Sequence, residues 1–185
     1  MEKVKGICST EINCPRWYAV YTKSRTEKKV KEEFGFKNIE CYLPIHKQLR
    51  QWSDRKKWVE KPLISGYIFV RIPYKDHLRV LQTDGVVSFV RFDGKPATIP
   101  DSQIENLKKI LRESEIRLEV TREDLTIGEK VRIAAGPLLG MEAELVRFKG
   151  KKKVAVRLPE VATSILIEIP LEELEKISKN ENSTE

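Results

Sequence analysis

The chain has 185 residues, of which 34% are charged and 40% are hydrophobic. This composition is typical of a soluble globular protein with room for one large domain or for a domain and a small module. The apolar stretches 62–70 and 161–169 are too short to cross a bilayer, and no apolar signal segment opens the chain, so we expect a cytoplasmic protein.

Positive charge is concentrated in residues 16–113, which hold 21 Lys and Arg against 12 Asp and Glu, whereas residues 114–185 hold 12 against 14. A local basic excess is typical of a surface that contacts a polyanion, although a merely solubilising surface has the same composition. The cysteines Cys8, Cys14 and Cys41 match no zinc-site spacing, and three reduced thiols are the simplest interpretation. No metal or cofactor is expected.

The first predicted elements follow a loose arm over 1–15. Residues 17–21 are aromatic and β-branched, which predicts a strand. Thr26 is suited to cap a helix whose buried side carries Val30 and Phe34.

A β-hairpin with a basic tip is predicted next. Residues 39–52 look extended, 53–57 form a polar turn, and 58–62 return along the first strand. The following segment, 63–70, is the most apolar of this half of the chain, so we place it in the centre of a sheet.

Helices and strands then alternate. A short helix is predicted over 75–82 and a strand over 86–92, and a tight turn at 93–94 precedes a helix through 101–112 with apolar residues at helical spacing. Strands mixed with two or three helices predict an α+β sandwich.

The last part of the chain predicts a small β-barrel. Residues 114–123 are charged and are expected to form a linker, although Ile116, Leu118 and Val120 alternate and are compatible with a short strand. Five short apolar segments then follow between glycine and proline turns over 124–178, which is the pattern of a small barrel. A disordered tail is expected over 179–185.

Several short motifs follow one another along the chain in a diagnostic order. They are the Trp-Tyr-Ala-Val-Tyr strand at 17–21, Tyr-Leu-Pro at 42–44, Gly-Tyr-Ile-Phe-Val at 66–70, Ile-Pro at 99–100, and Gly-Glu-Lys-Val-Arg-Ile followed by Gly-Pro and a further glycine over 128–140. Together they resemble the NusG family of transcription elongation factors. The resemblance implies an NGN α/β domain over 16–113, the linker, and a five-stranded SH3-like barrel with a KOW motif over 124–178.

Two segments favour a specialised paralogue over the general elongation factor. The hairpin at 49–58 is similar to that of UpxY-type antiterminators of polysaccharide-synthesis operons, and 86–92 is similar to RfaH. The implied function is antitermination that increases polymerase processivity; the general NusG factor and a ribosomal or RNA-binding KOW protein are the alternatives. An enzyme is not expected, because the chain shows no phosphate-binding loop and no catalytic constellation.

The resemblance implies an apolar patch that receives the clamp helices of the largest RNA polymerase subunit. We expect the rings of Tyr18 and Tyr67 to be exposed there, whereas Phe69 and Phe89 fit a core position equally well. The complete set of implied contacts is Tyr18, Pro44, Leu63, Ile64, Tyr67, Phe69 and Phe89.

The resemblance also implies contact with the non-template DNA strand, for which cations and aromatic rings are the suitable groups. The expected residues are Lys23, Arg25, Lys28, Lys29, Arg50, Trp52, Arg55, Lys56 and Lys57. The polar run at 76–79 is a weaker candidate for a second polymerase contact. The barrel is expected to bind ribosomal protein S10 or the terminator Rho near 159–165. A monomer that does not bind membranes is expected.

Overall fold

The computed structural model describes residues 13–51, 55–113, 117–123 and 125–177, and for 48–50 it describes the backbone alone. Most of the expected arm, the hairpin tip with Trp52, and the expected tail lie outside these ranges. The chain divides into two compact units between Ile104 and Glu105.

The first unit mixes short strands with helices, as predicted. Its elements in chain order are β1 (Arg16–Thr22), α1 (Glu27–Phe36), β2 (Glu40–Tyr42), β3 (Ile45–Gln51), β4 (Lys56–Pro62), β5 (Tyr67–Ile72), α2 (His77–Leu81), β6 (Val86–Phe89), β7 (Arg91–Phe92), β8 (Lys95–Pro96) and β9 (Thr98–Ile99). Helix α3 (Asp101–Arg112) spans the boundary between the units. The predicted helices after Thr26, near 75–82 and over 101–112 are thereby confirmed.

An antiparallel sheet forms the centre of the first unit. Its order is β2-β5-β1-β6, and β9 also pairs with β1. The strand predicted to be central, β5, lies between two others. One face of the sheet packs on Val30 and Phe34 of α1 and on Val80 of α2, which are fully buried. Val30 and Phe34 stand four positions apart on one side of α1, which is why this helix covers the sheet.

The predicted hairpin is confirmed as a separate two-stranded ribbon. Ile45 of β3 pairs with Pro62 of β4, and Gln51 pairs with Lys56 at the other end. The backbone positions of Arg50, Lys56 and Lys57 therefore lie at the end of the ribbon opposite Ile45 and Pro62.

The second unit is a six-stranded antiparallel sheet. Its strands are β10 (Leu118–Thr121), β11 (Glu129–Ile133), β12 (Glu142–Phe148), β13 (Lys151–Leu158), β14 (Thr163–Ile167) and β15 (Leu174–Lys176), in the order β10-β14-β13-β12-β11-β15.

The expected closed barrel of five strands is not found, because no ladder joins β10 to β15 among the described residues. The segment expected as a linker supplies β10, which pairs with the edge of β14 and occupies the hydrogen-bonding groups that closure would need. The alternation at Leu118 and Val120 was the signal for this strand.

One glycine explains how β11 begins. A Cβ atom at Gly128 would overlap the backbone oxygen of Leu145, so only glycine allows the chain to pass this close to β12.

Two of the three cysteines fall within the described ranges. Cys41 is a free thiol, and burial raises its pKa. Cys14 is disulfide-bonded, so the expectation of three reduced thiols is wrong; sequence spacing alone does not report which thiols approach each other. No helix in the described part of the chain is long and apolar enough to cross a membrane.

Candidate protein- and nucleic-acid-binding surfaces

Tyr18 lies in the core of the first unit. It pairs with Val70 across β1 and β5, faces the helices, and is only 5% exposed. Its ring meets that of Phe89 edge-on at 5.8 Å, and loss of solvent raises the pKa of its hydroxyl. The expectation of an exposed Tyr18 ring is therefore wrong, and Phe89 adopts the core position that was the alternative for it.

The opposite face of the sheet carries Tyr67 and Phe69. Tyr67 is 5% exposed and Phe69 is fully buried, so the expectation of an exposed Tyr67 ring is also wrong. Both faces of β1 and β5 are covered, and strand alternation alone therefore does not lead to an exposed ring.

Tyr21 is the aromatic residue that reaches solvent beside Tyr67. The two residues pair across β1 and β5, their ring centroids are 4.5 Å apart, and the Tyr67 hydroxyl donates a 2.8 Å hydrogen bond to the Tyr21 hydroxyl. Tyr21 is 40% exposed. It was missed as a site residue, although it is the last member of the alternating set Trp17, Ala19 and Tyr21.

The loop before β5 is held in place by backbone bonds. The Leu63 amide donates to the Pro44 oxygen at 2.7 Å, and the Thr22 amide donates to the Gly66 oxygen at 2.9 Å. Glu27, buried at the start of α1, accepts a 2.8 Å bond from the Gly66 amide. The loop contains half-buried Leu63 and buried Ile64, just before Tyr67 in sequence, and its bond to Pro44 links it to the segment between β2 and β3.

The polar run of α2 is engaged in local contacts. His77 stacks on Tyr74 with the ring centroids 5.0 Å apart, and Arg79 contacts Asp76 and donates to the Lys37 oxygen. These local interactions give no specific support to the expectation that residues 76–79 form a second contact with the polymerase.

The cations near α1 differ in their partners. Lys23 and Lys29 both approach Asp84, at 3.8 and 2.8 Å, and Lys28 lies 4.0 Å from Glu60. The Lys29 contact lowers the pKa of Asp84, and the same hydrogen bond raises the pKa of Lys29. Arg25 is exposed at a positive φ of 64° and forms no ion pair with the described residues.

The hairpin presents further cations and one exposed ring. Arg55, Lys56 and Lys57 are exposed, and Trp58 beside them is 64% exposed. Trp52 and the side chain of Arg50 lie outside the described residues. Lys57 pairs in register with the backbone of Arg50, one position from the last pair of the ribbon, Gln51 and Lys56.

No group of three or more His, Cys, Asp or Glu residues within the described ranges is arranged to hold a metal ion. The candidate residues of the first unit are aromatic rings, cations and the residues of one fixed loop.

A family model described as the transcription termination factor NusG matches residues 15–108, which include all of β1 to β9 and the tyrosine pair. The chain belongs to the NusG family. Curated NusG relatives from Staphylococcus epidermidis and Staphylococcus aureus, described as transcription termination/antitermination proteins, are each 26% identical over 182 residues. Those alignments cover 91% of this NusG-family chain and 100% of each relative.

A solved structure supports the same fold. The Thermotoga maritima NusG structure, titled for its domain interaction, is 20% identical and superposes with a TM-score of 0.52, covering 89% of this chain and 98% of that one. At this identity the likeness shows the fold of the NusG-family chain and no more.

Proposed function

We propose that this NusG-family chain is an antitermination and elongation factor that binds RNA polymerase through its first unit and raises processivity. The observation that carries the proposal is the Tyr21–Tyr67 pair. The partly exposed ring of Tyr21 packs against the buried ring of Tyr67, and a hydrogen bond joins their hydroxyl groups. Aromatic rings with one wet edge are enriched at protein interfaces because they offer large apolar area at low entropic cost.

The contact with the clamp helices of the largest subunit is centred on Tyr21 in this proposal. Tyr67 packs directly against Tyr21, and Phe69 and Ile64 are buried. Leu63 lies in the loop before β5, and its amide donates to the oxygen of Pro44. Tyr18 and Phe89 then act by packing, since helices cover them on the other face of the sheet. A supported, rigid ring loses little freedom on binding, which favours affinity.

The cations of α1 and of the hairpin serve the non-template DNA strand in this proposal. Arg25 is free of described ion pairs, and Trp58 offers an exposed ring beside Lys56 and Lys57. Cations neutralise phosphates and rings stack on bases without sequence preference. Trp52 and Arg50 complete the proposed set.

The finer assignment follows the sequence resemblance. In this proposal residues 16–113, which contain β1 to β9 and helix α3, form an NGN domain. Residues 124–178, which contain β11 to β15, form a KOW module that recruits ribosomal protein S10 or Rho. The hairpin supports a specialised paralogue at a polysaccharide-synthesis operon. The protein would act as a monomer by differential binding to the closed elongation complex, without chemistry of its own.

The test is polymerase retention by the immobilised chain. Tyr21→Glu places a charge in the proposed contact and should reduce retention of core polymerase at least tenfold, because burial of an unpaired charge opposes binding. Phe36→Glu is the matched control, since Phe36 is an 82% exposed ring on the same unit. It should retain polymerase like the unchanged protein.

Transcription past a terminator provides the functional readout. The unchanged protein and Phe36→Glu should increase run-through, and Tyr21→Glu should not. Equal polymerase retention by both variants would contradict the proposed contact. Retention of ribosomal RNA alone by the unchanged protein would instead support the ribosomal or RNA-binding alternative.

A further inference from the structure

The second unit carries a concentration of positive charge on two neighbouring strands and the turn between them. Residues 145–159 contain six Lys or Arg and no Asp or Glu. They form most of β12, β13 and the turn at Lys149 and Gly150 between them. This local excess contrasts with the acidic balance of residues 114–185 as a whole.

Half of these cations are neutralised within the unit. Lys149 and Lys153 both bind the carboxylate of Glu119, at 2.8 and 2.7 Å, and Arg157 binds Glu144 at 2.8 Å. These pairs join β13 and its turn to β10 and β12, so their role in the sheet is structural.

Arg147, Lys151 and Lys152 are different. All three are exposed, and none forms an ion pair with a residue that the structure describes. Arg147 and Lys152 stand directly opposite each other in the β12–β13 register, on the same face of the sheet. Like charges in that position oppose hairpin stability, so packing does not explain them.

An open depression lies beside two of these cations. It has a volume of about 410 Å³ and is lined by Lys151, Lys152, Glu168, Ile169 and Pro170. Glu168 is turned toward Lys153, at 3.5 Å. The depression therefore combines two lysines with an apolar floor at Ile169 and Pro170.

We propose that the end of the β12–β13 hairpin, with Arg147, Lys151 and Lys152, binds the phosphodiester backbone of single-stranded nucleic acid. The three cations neutralise phosphates, and the apolar floor accommodates the flat side of a sugar or base. Contacts to phosphate carry no sequence information, so this surface binds without sequence preference. It is distinct from the α1 cations and gives the second unit a contact of its own.

The test measures binding of fluorescently labelled random-sequence RNA, and of DNA of the same sequence, to the full chain over a series of salt concentrations. Arg147→Gln with Lys152→Gln should weaken binding about tenfold near 0.15 M salt and reduce the logarithmic salt slope by about 1.4, since each phosphate contact contributes about 0.7 for a single strand. Lys130→Gln with Lys176→Gln removes the same charge from β11 and β15 and should leave the affinity unchanged.

Thermal unfolding separates binding from folding. Because Arg147 and Lys152 repel each other, their neutralisation should leave the melting temperature of the protein unchanged or raise it while binding falls. Arg147→Lys with Lys152→Arg retains both charges and should bind as the unchanged protein does.

Three outcomes would overturn the proposal. The first is unchanged RNA affinity of the protein with Arg147→Gln and Lys152→Gln. The second is an equal loss of affinity in the Lys130 and Lys176 control. The third is displacement of the bound RNA by poly-glutamate as effectively as by unlabelled RNA of the same charge, which would indicate an acidic protein partner. The comparison of RNA with DNA identifies the source of the phosphates. The Arg147→Gln and Lys152→Gln pair is also measured in a protein that already carries Lys23→Gln and Arg25→Gln. The hairpin substitutions should weaken binding by the same factor there. A failure of the proposed hairpin contact is thereby distinguished from a failure of the proposed DNA contact at α1.

Discussion

The ammonium group of Lys29 lies 2.8 Å from Oδ2 of Asp84, although the two residues are 55 positions apart in the chain. Lys23 approaches the other carboxylate oxygen at 3.8 Å. The next residue, Gly85, is held against α1: a Cβ there would lie 2.7 Å from a methyl group of Val30, and its oxygen accepts the Lys23 amide at 2.8 Å. Asp84 is therefore a fixed counter-anion for two of the proposed DNA-binding cations.

Asp84→Asn should strengthen binding of single-stranded DNA. The substitution releases Lys23 and Lys29 from their shared carboxylate, so we expect affinity to rise about three- to tenfold near 0.15 M salt and the salt slope to steepen. Fluorescence anisotropy with a labelled oligonucleotide measures both quantities.

Asp93→Asn is the control for this experiment, because it removes the same charge from another exposed position of the first unit. It should raise the affinity less than Asp84→Asn does. Identical effects of the two substitutions would show that net charge, and not the Asp84 contact, governs binding.

Glu27→Ala should destabilise the first unit. Its buried carboxylate accepts the Gly66 amide, and loss of the acceptor leaves a half-buried donor unpaired. We expect the free energy of unfolding in urea to fall by about 1–3 kcal/mol. Glu27→Gln keeps an acceptor oxygen and should cost less, and Glu32→Ala, at an exposed position of the same helix, should cost little. Equal losses for Glu27→Ala and Glu32→Ala would contradict the role of the Gly66 bond.

Glu119 should make the second unit sensitive to acid. Hydrogen bonds from Lys149 and Lys153 lower the pKa of its carboxyl group. A group with a lowered pKa stabilises the folded state above its unfolded pKa, and this stabilisation is lost as pH falls through the folded value. Between about pH 5 and pH 3, the melting temperature should fall more for the unchanged protein than for Glu119→Gln. Glu175→Gln, at an exposed position of β15, should follow the unchanged protein; parallel curves for all three would exclude the effect.

The ion pair of Glu119 with Lys153 also makes the stability of the second unit depend on pH in the alkaline range. The hydrogen bond to Glu119 is the largest cause that raises the pKa of Lys153. This contribution is present below the unfolded pKa of lysine and is lost as pH rises through the raised folded value.

Two glycine-to-alanine substitutions should change the free energy of unfolding in opposite directions. In Gly128→Ala the new methyl group would meet the Leu145 oxygen, and a backbone atom inside a sheet does not move readily, so the second unit should lose about 1–3 kcal/mol or more. Beyond its chain neighbours and the backbone of its own helix, no atom would lie within 4 Å of a Cβ at Gly35, so Gly35→Ala should stabilise the first unit by about 0.5–1 kcal/mol. Urea unfolding measures both; destabilisation by Gly35→Ala would show that the helix end is not as open as described.

The identities of the main elements were predictable from local patterns. The apolar spacing of α1 and α3, the aromatic and β-branched composition of β1 and the punctuation by Gly and Pro each depend on residues a few positions apart. The ordered motifs from Trp17 to Gly140 also carried the family, because a family is recognised by residues in sequence order.

The tertiary structure decided which side chains remain at the surface. Alternation along β1 predicts that Tyr18 and Tyr21 lie on opposite faces of the strand. It does not predict that helices cover the face of Tyr18, or that the register of β5 places Tyr67 beside Tyr21 on the other face. Likewise, the pairing of Lys29 with Asp84 and of β10 with β14 joins residues far apart in the chain. Burial and ion pairing are properties of non-local contacts, so a one-dimensional pattern names the candidate residues and only the folded chain selects among them.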